Sequence, residues 1–545
     1  MATADWLIPA GLVAGGAFVL ARLLQSRSDS ARRASARADY EQREHSRERA
    51  HVLQAIDRYF PFLRDSVRDW LGKGVDPGEE YREAIEGVPA VGIGQTFDGL
   101  PAVLPLAERQ KHLYVVGKTG SGKTSLLLHL IREDLRAGRG VGVVAPEAEL
   151  FRDWILPLVP RRRAEAGDVI YFAPGRTENP LTWNPLEVEL GDNRSRAAEE
   201  LFSIVKRAVA EESMGVRMAP ILGNAFAALV GREGATLFDV RRLLEDEAFR
   251  LSVAQGLSDE YIRTFWQETY PSYPKGSHLP VVNRLDQFLR PVPIRRAITA
   301  KQSSFSIREA LAKEKILLVD LSGLAPESRL LLGQMLLAKF ELELHRREGI
   351  PQEERKPFHF FADEFQTFAG VAEGTWRELL SRGRRYGLAL TLAHQYPAQL
   401  PPALQDEIFG NVASIVSFAL GAKDAQAIRR EFLVDPGEGG AAEPVAIEDL
   451  VSTRPGQAIA RIGSGAFSIP LQAPEPLEPG DPEWGEEVRE RSWARYGAAK
   501  ETAPEAYQAE ERPPHGAMTS SPPAARAAPQ NGPAAVMRPR TRRVT

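Results

Sequence analysis

Seven short runs along the chain are apolar at nearly every position: His112–Val116, Gly140–Val144, Val169–Phe172, Lys315–Leu321, Phe358–Ala362, Leu388–Leu392 and Ala413–Leu420. A half-exposed strand alternates apolar and polar side chains, whereas a strand covered on both faces does not. Runs of this kind, separated by helical stretches, predict an α/β fold with a mainly parallel sheet. Between about residues 190 and 308 the spacing turns helical. Leu201, Ile204, Val205 and Ala208 fall on one helical face, and Thr236 with Asp239 has the form of a capping box. With no strand pattern there, this stretch reads as an all-α insertion.

Both ends of the chain depart from this pattern. Trp6 to Leu24 is apolar apart from Arg22, nineteen residues in all, or roughly 28 Å as a helix, close to one hydrocarbon thickness. Arg22, Arg27, Arg32, Arg33 and Arg37 come at its end and beyond it, so the positive-inside rule places the N-terminus outside and the bulk of the chain in the cytoplasm. The segment reads as a single-pass anchor in the inner membrane, and Gly11 with Gly15 has the spacing that lets membrane helices approach closely. A stretch dense in Arg and Glu follows from Gln25 to about Leu71 and reads as a solvated helical stalk. Beyond about 475 the chain turns rich in Pro, Ala and Glu and ends RPRTRRVT, the composition of a flexible tail.

Composition narrows the chemistry. At 545 residues, 43% apolar and 26% charged, the chain is long enough for several domains. A net charge of -4 gives no global basic bias, so any polyanion must be met locally. The absence of cysteine excludes disulfides, Cys-ligated zinc or iron–sulfur sites and a thiol nucleophile. Arginine outnumbers lysine 56 to 13 and asparagine occurs seven times, a signature shared by thermophilic proteins and GC-rich genomes.

The strongest local signal is a strand, His112–Val116, running into Gly117, Lys118, Thr119, Gly120, Ser121, Gly122, Lys123 and Thr124 and then a helix. This is a phosphate-binding loop in its required context. The glycines let successive backbone N–H groups face phosphates and the helix N-terminus adds positive potential. Lys123 is expected to reach the β/γ-phosphates and Thr124 to offer its hydroxyl to Mg²⁺, with ATP as cofactor. A second strand must then end in acid. KILLVD ends in Asp320 alone, whereas FHFFADE ends in Asp363 and Glu364. Only the second allows a division of labour, with Asp363 supporting Mg²⁺ and Glu364 orienting or deprotonating water, so Asp320 reads as the end of a structural strand. The run Leu388–Leu392 leads to Gln395, an amide placed to sense a γ-phosphate, and is preceded by Arg382, Arg384 and Arg385.

The phosphate loop, DVIYFAPG, NPLTWNPLE, a helical insertion, KILLVDLSG, HFFADEFQTFAG and RRYGLALTLAHQYPAQLP follow one another in this order. Over roughly Gly92 to Pro470 the chain resembles the TraD/TraG-type coupling proteins of conjugation, within the HerA/FtsK superfamily of ring-shaped DNA pumps. The resemblance implies a RecA-like P-loop core, Lys123 and Thr124 at nucleotide and magnesium, Asp363 and Glu364 as the Walker B pair, Gln395 as sensor and Arg384 as a finger acting on a neighbouring subunit. It further implies a homo-hexamer that threads DNA, working with a relaxase, nuclease or secretion-channel partner. The expected layout is 1–24 anchor, 25–85 stalk, 86–189 first part of the motor core, 190–308 all-α insertion, 309–474 second part of the core and 475–545 tail. Where relatives often carry Asp-Pro-His-Gly-Asp after the second strand, this chain has Ala145, Pro146, Glu147, Ala148 and Glu149, and no role is assigned to that turn. The expected function is ATP-driven DNA translocation at the inner membrane. A HerA-like helicase in DNA processing, a pilus or secretion ATPase acting on protein, and a nucleotide-regulated scaffold are the alternatives. The anchor weighs against the helicase, and the intact acidic pair weighs against the scaffold.

Overall fold

A computed structural model describes residues 88–96, 101–176, 178–189, 193–208, 217–369, 373–434, 442–463 and 468–497. The expected anchor, stalk and basic terminus lie outside these residues. No helix among the described residues is long and apolar enough to cross a membrane.

The strands are β1 (Ala90–Thr96), β2 (Pro101–Pro105), β3 (Leu113–Val116), β4 (Gly140–Ala145), β5 (Val169–Phe172), β6 (Ile316–Asp320), β7 (Phe358–Ala362), β8 (Leu388–His394), β9 (Ser414–Ser417), β10 (Leu433–Val434), β11 (Glu443–Pro444), β12 (Gln457–Arg461) and β13 (Ile469–Gln472). β10 and β11 form a small ribbon, and the rest make one sheet in the order β2-β1-β13-β12-β9-β3-β8-β7-β4-β6-β5. From β9 to β5 every pairing is parallel, and these seven strands are the seven apolar runs of the sequence. The mainly parallel α/β class expected from the sequence is thus the observed one. Almost every residue of these strands is buried, because helices cover both faces.

The antiparallel flank β12, β13, β1 and β2 was not expected. Its strands are short and interrupted by Gly and Pro, and β1 is buried only at alternate positions, so no continuous apolar run betrays them.

Between β5 and β6 the described residues hold helices and no strand, among them Arg194–Ala208, Met218–Leu229, Leu237–Glu245, Glu247–Gln255 and Leu279–Leu289. Leu201 and Val205 are buried on the face the spacing predicts. The capping box forms: Asp239 accepts from the Thr236 amide at 2.8 Å.

The segment beyond 475 departs from the expected tail, because Pro482–Tyr496 is a helix laid along the edge strand β5. Ser492 accepts from the Tyr171 amide at 2.9 Å, Trp493 donates to the Tyr171 carbonyl at 3.2 Å, and Trp484 donates to the Val159 carbonyl at 2.9 Å. An edge strand leaves its outer backbone groups open, and this helix satisfies them. Overall Pro and Glu content hid the signal: Trp484, Val488, Ser492 and Tyr496 recur every fourth residue and all face inward.

Candidate functional site

β3 enters the phosphate loop at Gly117, whose amide donates to the His394 carbonyl at 3.2 Å, and Lys118 donates to the Ala419 carbonyl at 2.8 Å. The loop is thereby held by the ends of both strands that flank β3. Gly120 has φ 74° and Gly122 φ 122°, conformations that L side chains rarely adopt. A Cβ on Gly122 would also stand 2.8 Å from the Phe418 ring, so this corner closes only around glycine. The helix Lys123–Arg136 starts there with no side chain capping its first turn, which leaves its N–H groups for an anion. Lys123 is buried and donates to the Lys118 carbonyl at 3.4 Å. Burial lowers its affinity for a proton, and Glu364, Asp363 and Glu147 oppose that. Thr124 is exposed on the first turn.

Strand order decides what faces this loop. β8 lies between β3 and β7, so Gln395 at the tip of β8 stands between the loop and the acids after β7. The Thr119 hydroxyl donates to Gln395 Oε1 at 2.8 Å, and Gln395 Nε2 donates to Glu364 Oε1. Gln366 Nε2 donates to the other carboxylate oxygen, Oε2. The Glu364 amide donates to Asp363 Oδ1 at 3.0 Å, and the Asp363 amide to the Val144 carbonyl at 3.2 Å. Glu364 sits at φ 48°, a left-handed conformation uncommon for a non-glycine residue. Burial, then Glu364 and Glu147, push the Asp363 carboxyl up to about 7, with Lys123 opposing. A buried acid beside other carboxylates is one that a cation would stabilise in its charged form.

The remaining sequence candidates fall elsewhere or join unexpectedly. Asp320 ends β6, two strands beyond β7, where it accepts from the Tyr171 hydroxyl at 2.6 Å and the Ser322 amide at 2.9 Å. Arg384 lies at the entry end of β8, and the seven residues of that strand put it on the order of 20 Å from its own Gln395. Arg382 pairs with Glu378 and Arg385 with Glu348, both at 3.3 Å. The exposed Arg384 side chain makes no ion pair or hydrogen bond among the described residues.

Two features were missed. Glu147, in the turn given no role, is close enough to raise Asp363 and to oppose the lowering of Lys123; its own carboxyl is raised by burial, Glu364 and Glu149. The turn after β4 thus adds a carboxylate to the surroundings of Asp363 and Lys123. The second is the turn Arg454–Gln457, with Pro455 and a left-handed Gly456 (φ 79°), whose Gly456 amide donates to the Ser121 carbonyl at 2.9 Å. Only the short R-P-G-Q pattern announces it, and nothing in the sequence tells which loop it touches.

Comparison with known proteins follows the same geometry. Residues 96–426, more than half of the chain, match the type IV secretion-system coupling protein DNA-binding domain. Among solved structures, the unbound bacterial conjugative coupling protein TrwBdeltaN70 is 15% identical, with 75% of this chain and 93% of that chain covered at a TM-score of 0.53. The plasmid coupling protein TrwB in complex with a non-hydrolysable ATP analogue is 15% identical over 74% and 94%, at 0.53. The complex of TrwB with ADP and Mg²⁺ is 16% identical over 74% and 94%, at 0.50. At such identities the likeness establishes the fold. No curated protein matches the chain. The family match spans the phosphate loop, the acidic pair and β8 together, and the chain belongs to the type IV secretion-system coupling protein family.

Proposed function

We propose that this chain is an ATPase that drives DNA transfer in conjugation, anchored in the inner membrane through residues 6–24 and working as a ring of six identical subunits. The observation that carries the reading is the relay from Thr119 through Gln395 to Glu364, because it joins the phosphate loop to the acid that would activate water. The loop amides, the uncapped helix and Lys123 would hold the phosphates. Among the described residues no cluster of three or more His, Asp or Glu could hold a metal alone. The donor set fits an ion that arrives with nucleotide: Thr124 and the crowded Asp363 would take two positions and phosphate oxygens and water the rest. Bound magnesium would neutralise charge on the phosphates. Glu364 would orient or deprotonate water, and Gln395 would report the γ-phosphate.

The ring and the DNA complete the proposal. Arg384 is far from its own phosphate loop and unpaired, the disposition of a group that acts on a neighbour's site. DNA would be held through its phosphates with little sequence readout, consistent with the family's DNA-binding description. Delivery would fall to a relaxase, nuclease or secretion-channel partner. The test is ATP turnover of the protein lacking residues 1–24 with single-stranded DNA, duplex DNA or none, together with its mass in solution. Stimulation by DNA with assembly is expected. A monomer whose turnover ignores DNA overturns the proposal.

A further inference from the structure

We infer that Gln366 is a positioning residue for hydrolysis, holding the Glu364 carboxylate on line by its second oxygen while Gln395 is free to turn to the nucleotide. This rests on the ATPase reading above and adds to it a residue to which neither the loop nor the acidic pair draws attention.

The geometry starts from the backbone. Glu364 is left-handed, and the chain turns back so tightly that the Thr367 amide donates to the Glu364 carbonyl at 2.9 Å. The turn returns the side chain two positions on, Gln366 at the head of the helix Gln366–Ala369, onto the carboxylate that precedes it. Its amide orientation follows from chemistry. With Oε1 turned to Glu364, two acceptors would face each other, so Nε2 is the donor. Oε1 is then buried without a hydrogen-bond partner among the described residues. Leaving a buried carbonyl unsatisfied is unfavourable, and the arrangement keeps the N–H on Glu364 nonetheless.

The two amides on Glu364 are not equivalent. Gln395 is also tied to Thr119 in the phosphate loop, so an arriving γ-phosphate competes for it. Among the described residues the Gln366 side-chain amide bonds to Glu364 and to nothing else. Once Gln395 turns to the nucleotide, Gln366 alone fixes the carboxylate, and a carboxylate free to rotate loses the alignment on which proton abstraction depends.

The experiment compares steady-state ATP turnover of the full chain, its Gln366→Ala and Gln366→Glu variants and Glu364→Gln, with thermal unfolding of each. Gln366→Ala is expected to lower kcat about tenfold with KM for ATP within twofold. Gln366→Glu keeps the shape and sets a like charge against Glu364, so its kcat falls further, about a hundredfold, again with KM unchanged. A packing role would give the opposite order, since the isosteric variant preserves contacts that alanine removes. An Ala loss equal to or larger than the Glu loss, a loss carried by KM, or two unchanged variants overturns the inference. Glu364→Gln separates the levels: if that variant still turns over, the ATPase assignment fails, whereas a dead Glu364→Gln beside unchanged Gln366 variants sinks only the role of Gln366.

Discussion

As sequence, β6 and β7 are near twins, each five buried residues running into acid: Asp320 closes the first, and Asp363 with Glu364 follows the second. Their surroundings are not alike. Asp320 is saturated by a tyrosine hydroxyl, a backbone amide and, at 3.9 Å, Arg176, and it is wholly buried. Burial, then the like charges of Glu364 and Glu147, raise Asp363, and Glu364 is held by two side-chain amides on a left-handed backbone. The difference comes from place in the sheet. β7 borders β8, which lies beside the strand that enters the phosphate loop, while β6 is separated from β7 by β4. The strands beside a strand-end acid decide whether it faces the phosphate loop or is tied down as a fastener.

The largest test of this contrast removes only the charge. Glu364→Gln is expected to lower turnover about 10⁴-fold, the upper range for a positioned general base, with nucleotide binding and melting temperature kept. Phosphate release and fluorescent-nucleotide titration measure the two. Asp320→Asn should leave kcat per folded molecule within twofold. Equal losses at the two sites would erase the distinction drawn from strand order.

Next in size is the arginine at the far end of β8. Arg384→Ala is expected to cost about 10³-fold in turnover. Mixed with Lys123→Ala subunits, which supply an intact finger but a dead loop, it should regain activity in proportion to mixed seams. A mixture silent at every ratio would confine Arg384 to the surface. Arg382→Ala and Arg385→Ala, each removing one exposed ion pair, should change turnover little.

Asp320 then has a prediction of its own. Asp320→Asn weakens two hydrogen bonds made to a buried charge and should cost about 2–3 kcal/mol in urea unfolding, with Tyr171→Phe costing about half as much. An unchanged unfolding midpoint would mean that Asp320 fastens nothing.

The contrast also shows what the chain discloses before folding. The seven parallel strands were legible because burial on both faces leaves an unbroken apolar run, and the phosphate loop because its glycines must recur at fixed spacing. The choice of Asp363 and Glu364 over Asp320 rested on their number, and the fold adds the reason, which is strand order. Strand order is set by long-range pairing and leaves no local mark. The turn Arg454–Gln457 was illegible for that reason, since it reaches the loop from a distant part of the chain, whereas the turn holding Glu147 was seen and left without a role because its sequence departs from the relatives' pattern. The helix Pro482–Tyr496 was legible in its four-residue period and was masked by the composition around it.

The smallest expected effect lies deeper in the same two strands. Across β4, His359 of β7 and Ile316 of β6 share one layer, so only β7 carries a titratable group there. His359 is buried with Nδ1 3.8 Å from Asp134, and Arg109 clamps Asp134 at 2.6 and 2.7 Å. Burial, then Arg109, lower the imidazole to about 3, with Asp134 opposing and Arg139 adding to the lowering. The unfolded chain takes up this proton near pH 6.5 and the folded chain does not, so stability is complete above that pH and falls as the pH drops toward 3. Between pH 7 and 5.5 His359 alone should cost about 1 kcal/mol. The buried His112 (about 4) and His394 (about 3) act in the same direction. His359→Leu should therefore reduce the stability lost over that interval by about 1 kcal/mol in urea titrations, whatever its effect at pH 7. If the loss is the same in both proteins, His359 is not held neutral, and the buried layer beneath β7 does not differ electrostatically from the one beneath β6.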